Sequence, residues 1–116
     1  MEYKYHYNAE DDVLSIYNYD NKVKESVQVS EDVVLDFDGG DKVIGIEIFY
    51  ASELLGAFNI ENNKDFLKHL ENASLEVKSF RNQFFVAVVL YKDGKRIVQP
   101  MPLLRKEEYI SPLAGS

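Results

Sequence analysis

A chain of 116 residues and 13.4 kDa, with 46% apolar and 28% charged residues, has the balance of one domain spanning 1–116. The complete lack of cysteine excludes thiol catalysis, a Cys-based zinc site, an iron–sulfur cluster and a disulfide framework. A net charge of −7 repels phosphate backbones and anionic lipid, so nucleic acid and membrane surfaces are set aside as partners.

From Tyr3 to Tyr50 apolar residues alternate at period two, with Val, Ile and Tyr dominating, and this pattern predicts strands at 3–8, 12–18, 23–30, 32–37 and 42–50. Asn8-Ala9-Glu10-Asp11, Tyr19-Asp20-Asn21-Lys22 and Asp38-Gly39-Gly40-Asp41 supply the turns, and short turns between consecutive strands predict antiparallel hairpins. Pairing the last hairpin about Gly39-Gly40 sets Leu35 against Ile44, Val33 against Ile46, Val34 against Gly45 and Asp32 against Glu47. Ser52 to Ala57 can close one helical turn. A fuller helix is predicted over 62–72, with Asn62 as N-cap, Asp65 three positions on, and Phe66, Leu67 and Leu70 on one face.

Strands follow at 75–81, 83–92 and 95–100. Asp93-Gly94 is a type I′ hairpin signal that sets Leu90 against Ile97 and Val89 against Val98. Phe84 to Tyr91 is the longest apolar run, eight residues, far short of the ~20 that a membrane helix needs. Its lack of polar residues predicts a central strand covered on both sides. Pro100 and Pro102 end the pairing, and a tail from 103 to 116 follows without a clear period. The fold class is therefore α+β, mainly antiparallel β with one helical turn and one helix, and the core is expected from Leu14, Ile16, Val33, Leu35, Ile44, Ile46, Ile48, Val86, Val88 and Leu90. The second three-strand run at 75–100 resembles the one at 3–29, through duplication or, more readily, because any two antiparallel meanders look alike.

Chemistry-bearing residues are few. His6 and His69 are the two histidines, which excludes a multi-histidine metal site within one chain. His69 is expected in solvent and His6 on the face opposite Tyr5 and Tyr7. Tyr3, Tyr5, Tyr7 and Tyr17 read as hydroxyl-edged core packing more readily than as a stacking surface. No nucleophile elbow, phosphate-cradling glycine loop or His-Glu-x-x-His run occurs, so no catalytic residue and no cofactor is assigned. The weak metal candidates are Asp32, Asp36, Asp38 and Glu47. Asp36, Asp38 and Asp41 with Gly39-Gly40 share features with a calcium loop but lack its third ligand position and its bidentate glutamate, so a hairpin turn is the expected reading. Asp32 opposite Glu47 places like charges together, a conflict to be relieved by solvent, a base or a shared cation.

The runs Tyr7-Asn8-Ala9-Glu10-Asp11-Asp12-Val13-Leu14-Ser15-Ile16, Val29-Ser30-Glu31-Asp32-Val33-Val34-Leu35-Asp36-Phe37-Asp38 and Val43-Ile44-Gly45-Ile46-Glu47-Ile48, followed by Ala51-Ser52, together resemble the domain of unknown function 2283 family of bacteria and archaea, over about residues 3–56. The resemblance implies a β-meander followed by a short helix over 3–57. It brings no activity, and the siting of some relatives beside suspected toxin genes implies a partner-binding or antitoxin-like role. Ser15 stands where relatives often carry an aromatic residue, and a helix with three strands (58–102) and the tail (103–116) extend beyond the family's usual end.

The expected function is a non-catalytic protein-interaction or self-associating domain in the cytoplasm, a homo-oligomer, expected as a homodimer, formed through the second half and its tail, with a protein partner as a further expectation. The alternatives are an antitoxin-like partner of a toxin and a metal-dependent hydrolase using Asp32, Asp36 and Glu47. Charge supports association: residues 1–62 carry 14 acidic and 4 basic residues, and 63–116 carry 6 acidic and 9 basic.

Overall fold

The computed structural model describes residues 3–18, 20, 22–56, 63–80, 83–101 and 104–105. The alternating segments become β1 (Tyr3–Asn8), β2 (Val13–Asn18), β3 (Glu25–Ser30), β4 (Val33–Phe37) and β5 (Val43–Phe49). Two short helices, α1 (Ala51–Gly56) and α2 (Asn63–Lys68), lead to β6 (Asn72–Phe80), β7 (Gln83–Lys92), β8 (Lys95–Pro100) and β9 (Leu104–Arg105). No helix among the described residues is long and apolar enough to cross a membrane.

The first sheet runs β1-β2-β5-β4-β3, all antiparallel. β2 and β3 follow each other in sequence but do not pair, contrary to the hairpin expected there. Instead β5 returns to β2, and the chain after β2 crosses to the far edge, a Greek-key arrangement. Alternation along a strand fixes which face is buried but not which strand lies alongside, so this step was invisible in the sequence. The second sheet is a plain meander, β6-β7-β8, with β9 extending β8's side of β7. Its strand order differs from that of the first three strands of the chain, so the two runs are not copies of one arrangement.

The inner faces of both sheets share one core. Leu14, Ile16, Val33, Leu35, Ile46 and Ile48 from the first sheet meet Leu75, Val86, Val88 and Leu90 from the second. The rings of Phe37 and Phe84 meet edge to face at 5.2 Å across the interface. All ten residues expected in the core are buried. Tyr3, Tyr5 and Tyr7 pack along the core margin, and the Tyr5 hydroxyl donates to the Leu70 carbonyl at 2.6 Å, tying β1 to the start of the second half. Tyr17 does not join them, because its Cα partners are Lys4 and Gly45 on the outer face.

The predicted helix over 62–72 is shorter than expected. It ends at Lys68, and β6 begins at Asn72, three residues before the predicted strand. Leu67 and Leu70 are buried and Phe66 packs beside them as expected, although Leu70 lies beyond the helix. The break follows from tertiary pairing: the Glu71 amide donates to the Tyr91 carbonyl at 2.8 Å, which draws the chain into the sheet. Asn62, the tail beyond Arg105 and the residues Leu103, Tyr109, Ile110 and Leu113 lie outside the described residues.

At the Asp93-Gly94 turn both residues have positive φ, 54° and 72°, as a type I′ turn demands, and Leu90 pairs with Ile97 and Val89 with Val98 as expected. The hairpin of β4 and β5 is paired differently from the sequence reading. Leu35 lies opposite Ile46, Val33 opposite Ile48, Val34 opposite Glu47 and Asp36 opposite Gly45. A bulge between Asp36 and Phe37 moves the register, and the turn is not centred on Gly39-Gly40. Asp38 organises it instead, its Oδ1 accepting the amides of Gly40 at 2.8 Å and Lys42 at 3.0 Å. These bonds, the Gly40 amide after that of Lys42, hold the Asp38 carboxyl below the usual range.

Gly45 is buried between Tyr17 on β2 and Asp36 on β4. A Cβ there would stand 2.9 Å from Asp36 Oδ2 and 3.3 Å from the Ile16 carbonyl oxygen. The carboxylate can swing away, but the backbone carbonyl cannot, and a branched side chain would meet both. Gly45→Val is expected to lower stability by about 1–3 kcal/mol, read as a fall in melting temperature, whereas an unchanged transition would contradict this register.

Candidate functional site

Along the outer face of the first sheet, the register builds two rows of side chains. Lys4, Tyr17, Gly45, Asp36 and Ser26 form one; His6, Ser15, Glu47, Val34 and Gln28 form the next. The weak metal candidates are spread across this geometry. Asp36 and Glu47 lie on neighbouring strands in adjacent rows, a diagonal relation. Asp36 Oδ1 accepts the Ser26 hydroxyl at 2.6 Å. Asp38 sits in the turn at one end of β4 and Asp32 in the turn at the other, where the Asp32 carbonyl accepts the Phe49 amide at 2.8 Å. Asp32 is not opposite Glu47, so the expected like-charge conflict does not arise. Among the described residues, no group of three or more His, Cys, Asp or Glu side chains is placed to hold a metal ion. His6 is exposed, on the face opposite the tyrosines, and His69 is exposed beside Asp65, with Nδ1 at 2.8 Å from the Asp65 carbonyl oxygen.

A buried polar cluster that the sequence did not announce lies at the junction of the β1–β2 turn and α1. Asp12 has a φ of 57° and is buried. Its Oδ1 accepts the Tyr7 hydroxyl at 2.6 Å and the Ser52 amide at 3.0 Å, and its Oδ2 accepts the Ser52 hydroxyl at 2.6 Å. The Asp12 carbonyl takes the Ala51 amide at 2.9 Å. A residue forty positions upstream thus supplies the helix cap, satisfying amides that α1 cannot satisfy itself. Burial disfavours the Asp12 charge, yet the hydroxyls of Ser52 and Tyr7, the Ser52 amide and the charge of Lys64 outweigh it, and the carboxyl is held below its ordinary range. The Tyr7 phenol is pushed well above its ordinary value by burial, by its bond to Asp12 and by that residue's charge. With Tyr7 protonated and Asp12 ionised, the cluster holds a proton in place and has no histidine through which to pass it on. Its chemistry is that of a fastener.

Two exposed features are apolar. On the outer face of the second sheet, β7 presents Phe85, Ala87 and Val89, with Val98 and Pro100 of β8 alongside. The Arg96 guanidinium reaches across β7 to the Glu76 carboxylate, and Val89, on the strand between them, is wholly buried. Among the described residues no such bridge covers the other end of the strand, where Phe85 is 52% exposed and Val98 38%. The long apolar strand is therefore central, with its inner face buried and its outer face covered at Val89 but not at Phe85, so the expected cover on both sides holds only in part. A second apolar area lies on the first sheet around Phe49 and Tyr50.

A two-sheet antiparallel α+β protein with a fastened helix and open apolar sheet faces is the class these features define. Residues 4–52 match the family model described as "Protein of unknown function (DUF2283)". The matched stretch takes in the N-terminal sheet and the start of α1, nearly the same residues over which the resemblance was drawn. The family runs Asp11-Asp12-Val13 and Ala51-Ser52, distant in sequence, are the two halves of the Asp12 fastener. An uncharacterized protein of Methanocaldococcus jannaschii is 39% identical over 70 residues, 60% of this chain and 56% of the relative. The chain thus spans little more than half the length of that relative. No solved structure matches the chain.

Proposed function

We propose that this protein is a non-catalytic interaction domain that self-associates through the outer face of its second sheet. The observation that carries the reading is Phe85, a large apolar side chain half in solvent on the central strand of a sheet, beside an open Val98. A second copy is the occupant this face suits best, because a two-fold contact must be self-complementary. Its rim carries both signs, the Glu76 carboxylate already paired with Arg96 and Lys78 two residues on along β6, so charge is not left uncompensated around the apolar centre. The absence of a nucleophile–base pair in the Asp12 cluster, and the scatter of Asp32, Asp36, Asp38 and Glu47, favour this reading over the hydrolase. Light scattering tests it: the full chain is expected to show a mass that rises toward twice 13.4 kDa with concentration, and Phe85→Lys to weaken association at least about tenfold. A mass of one chain at all concentrations, or a dimer indifferent to Phe85→Lys, would remove the proposal.

A further inference from the structure

Among the described residues, four other than glycine hold positive φ: Asp12, Asp41, Asp93 and Tyr50. Aspartate tolerates that region because its short polar side chain bonds locally; a tyrosine there, with φ 52°, is strained, and glycine would adopt it freely. The conformation serves the backbone, since the Tyr50 carbonyl accepts the amides of Glu53 and Leu54 at 3.0 and 2.9 Å and so starts α1. It does nothing for the ring, which is 59% exposed. An aromatic side chain kept where the backbone favours glycine, and left in water, points to use of the ring itself.

Its neighbours say what the ring faces. Tyr50 walls a groove of about 540 Å³ whose floor is Val13, Val34 and Phe49 and whose rim holds Asp11, Gln28 and Glu31, with no basic residue in its lining among the described residues. The surrounding half of the chain carries the acidic excess, 14 acidic against 4 basic residues over 1–62. An apolar floor, an exposed aromatic wall and two carboxylates fit a side chain with an aliphatic stem and a cationic head, flanked by apolar residues. We propose that this groove binds a basic, apolar peptide segment of a partner protein. The site lies on the first sheet, away from the self-association face, and does not depend on it.

The full chain is to be titrated against a labelled synthetic peptide alternating leucine with lysine, by fluorescence anisotropy, with amide NMR shifts locating the contact. Binding is expected with shifts centred on Val13, Val34 and Phe49, and a peptide with glutamate in place of lysine is expected not to bind. Tyr50→Gly should weaken binding at least about tenfold while leaving the melting temperature equal or higher, because it relieves the backbone. Glu31→Lys should weaken it as well, and Tyr50→Phe should retain it. Phe85→Lys should leave peptide binding intact, so failure of self-association and failure of this site are separable. No binding, shifts on another face, equal binding of the glutamate peptide, or indifference to Tyr50→Gly would each overturn the proposal. So would a groove already filled by a second copy, seen as a dimer that Tyr50→Gly dissociates.

Discussion

Phe37→Ala is expected to cost about 3–5 kcal/mol, the largest effect of any single truncation in the core. Phe37 is fully buried at the end of β4, and its ring meets Phe84 of the second sheet at 5.2 Å with the planes at 64°. Removing the ring leaves a void between two layers that cannot close, because strand pairing pins both sides: the Phe37 carbonyl accepts the Lys24 amide at 2.8 Å, and Phe84 is paired with Ser79. A double-mutant cycle with Phe84→Ala should show a coupling of about 0.5–1.5 kcal/mol in chemical denaturation. Strict additivity would mean that the two sheets do not share this contact in solution.

Asp12 supplies the second large effect. Asp12→Ala removes an acceptor from two hydroxyls and one amide and forces a β-carbon residue without a local polar bond into a φ near 57°, so a loss of about 3 kcal/mol is expected. Asp12→Asn keeps the backbone preference and part of the bonding, and should lose about half as much. The pH dependence follows in sign. The Asp12 carboxyl is more acidic folded than unfolded, so its contribution is present above the ordinary carboxylate range and is lost as pH falls through the lowered value. Tyr7 behaves oppositely: its raised value means that its contribution is complete below the ordinary phenol range and is lost as pH rises above it. Native protein should therefore show a stability slope in acid that Asp12→Asn reduces, leaving the part that Asp38 contributes. An Asp12→Asn variant with the native acid profile would contradict the assignment of that charge.

The parts of this fold that sequence made legible are those set by local chemistry. Period-two alternation placed β1 to the residue, and the apolar run with its Asp93-Gly94 turn and the closing Pro100 did the same for β7 and β8, the type I′ turn also fixing their register. Local chemistry misled where a longer-range bond outweighed it. The symmetrical Gly39-Gly40 centre gave way to an Asp38 side chain that captures two amides, and the helix continuing past Lys68 gave way to pairing between Glu71 and Tyr91. The Asp12 cluster left a trace, in that both of its halves stand in the family runs. Nothing local shows that Asp12 and Ser52 meet, because β5 must first return to β2 for α1 to arrive beside the β1–β2 turn. Tyr50 left no trace at all, since a positive φ at tyrosine goes against every residue preference.

Contact between copies at Phe85 is the most direct consequence of self-association through the second sheet. The decisive measurement is an isotope-filtered NMR experiment on a mixture of carbon-13-labelled and unlabelled chains. Intermolecular cross-peaks from the Phe85 ring to the Val98 and Ala87 methyls of the other copy are the predicted result, together with their loss in Phe85→Lys. A dimer whose intermolecular cross-peaks arise elsewhere, or a mixture with none, would contradict the account.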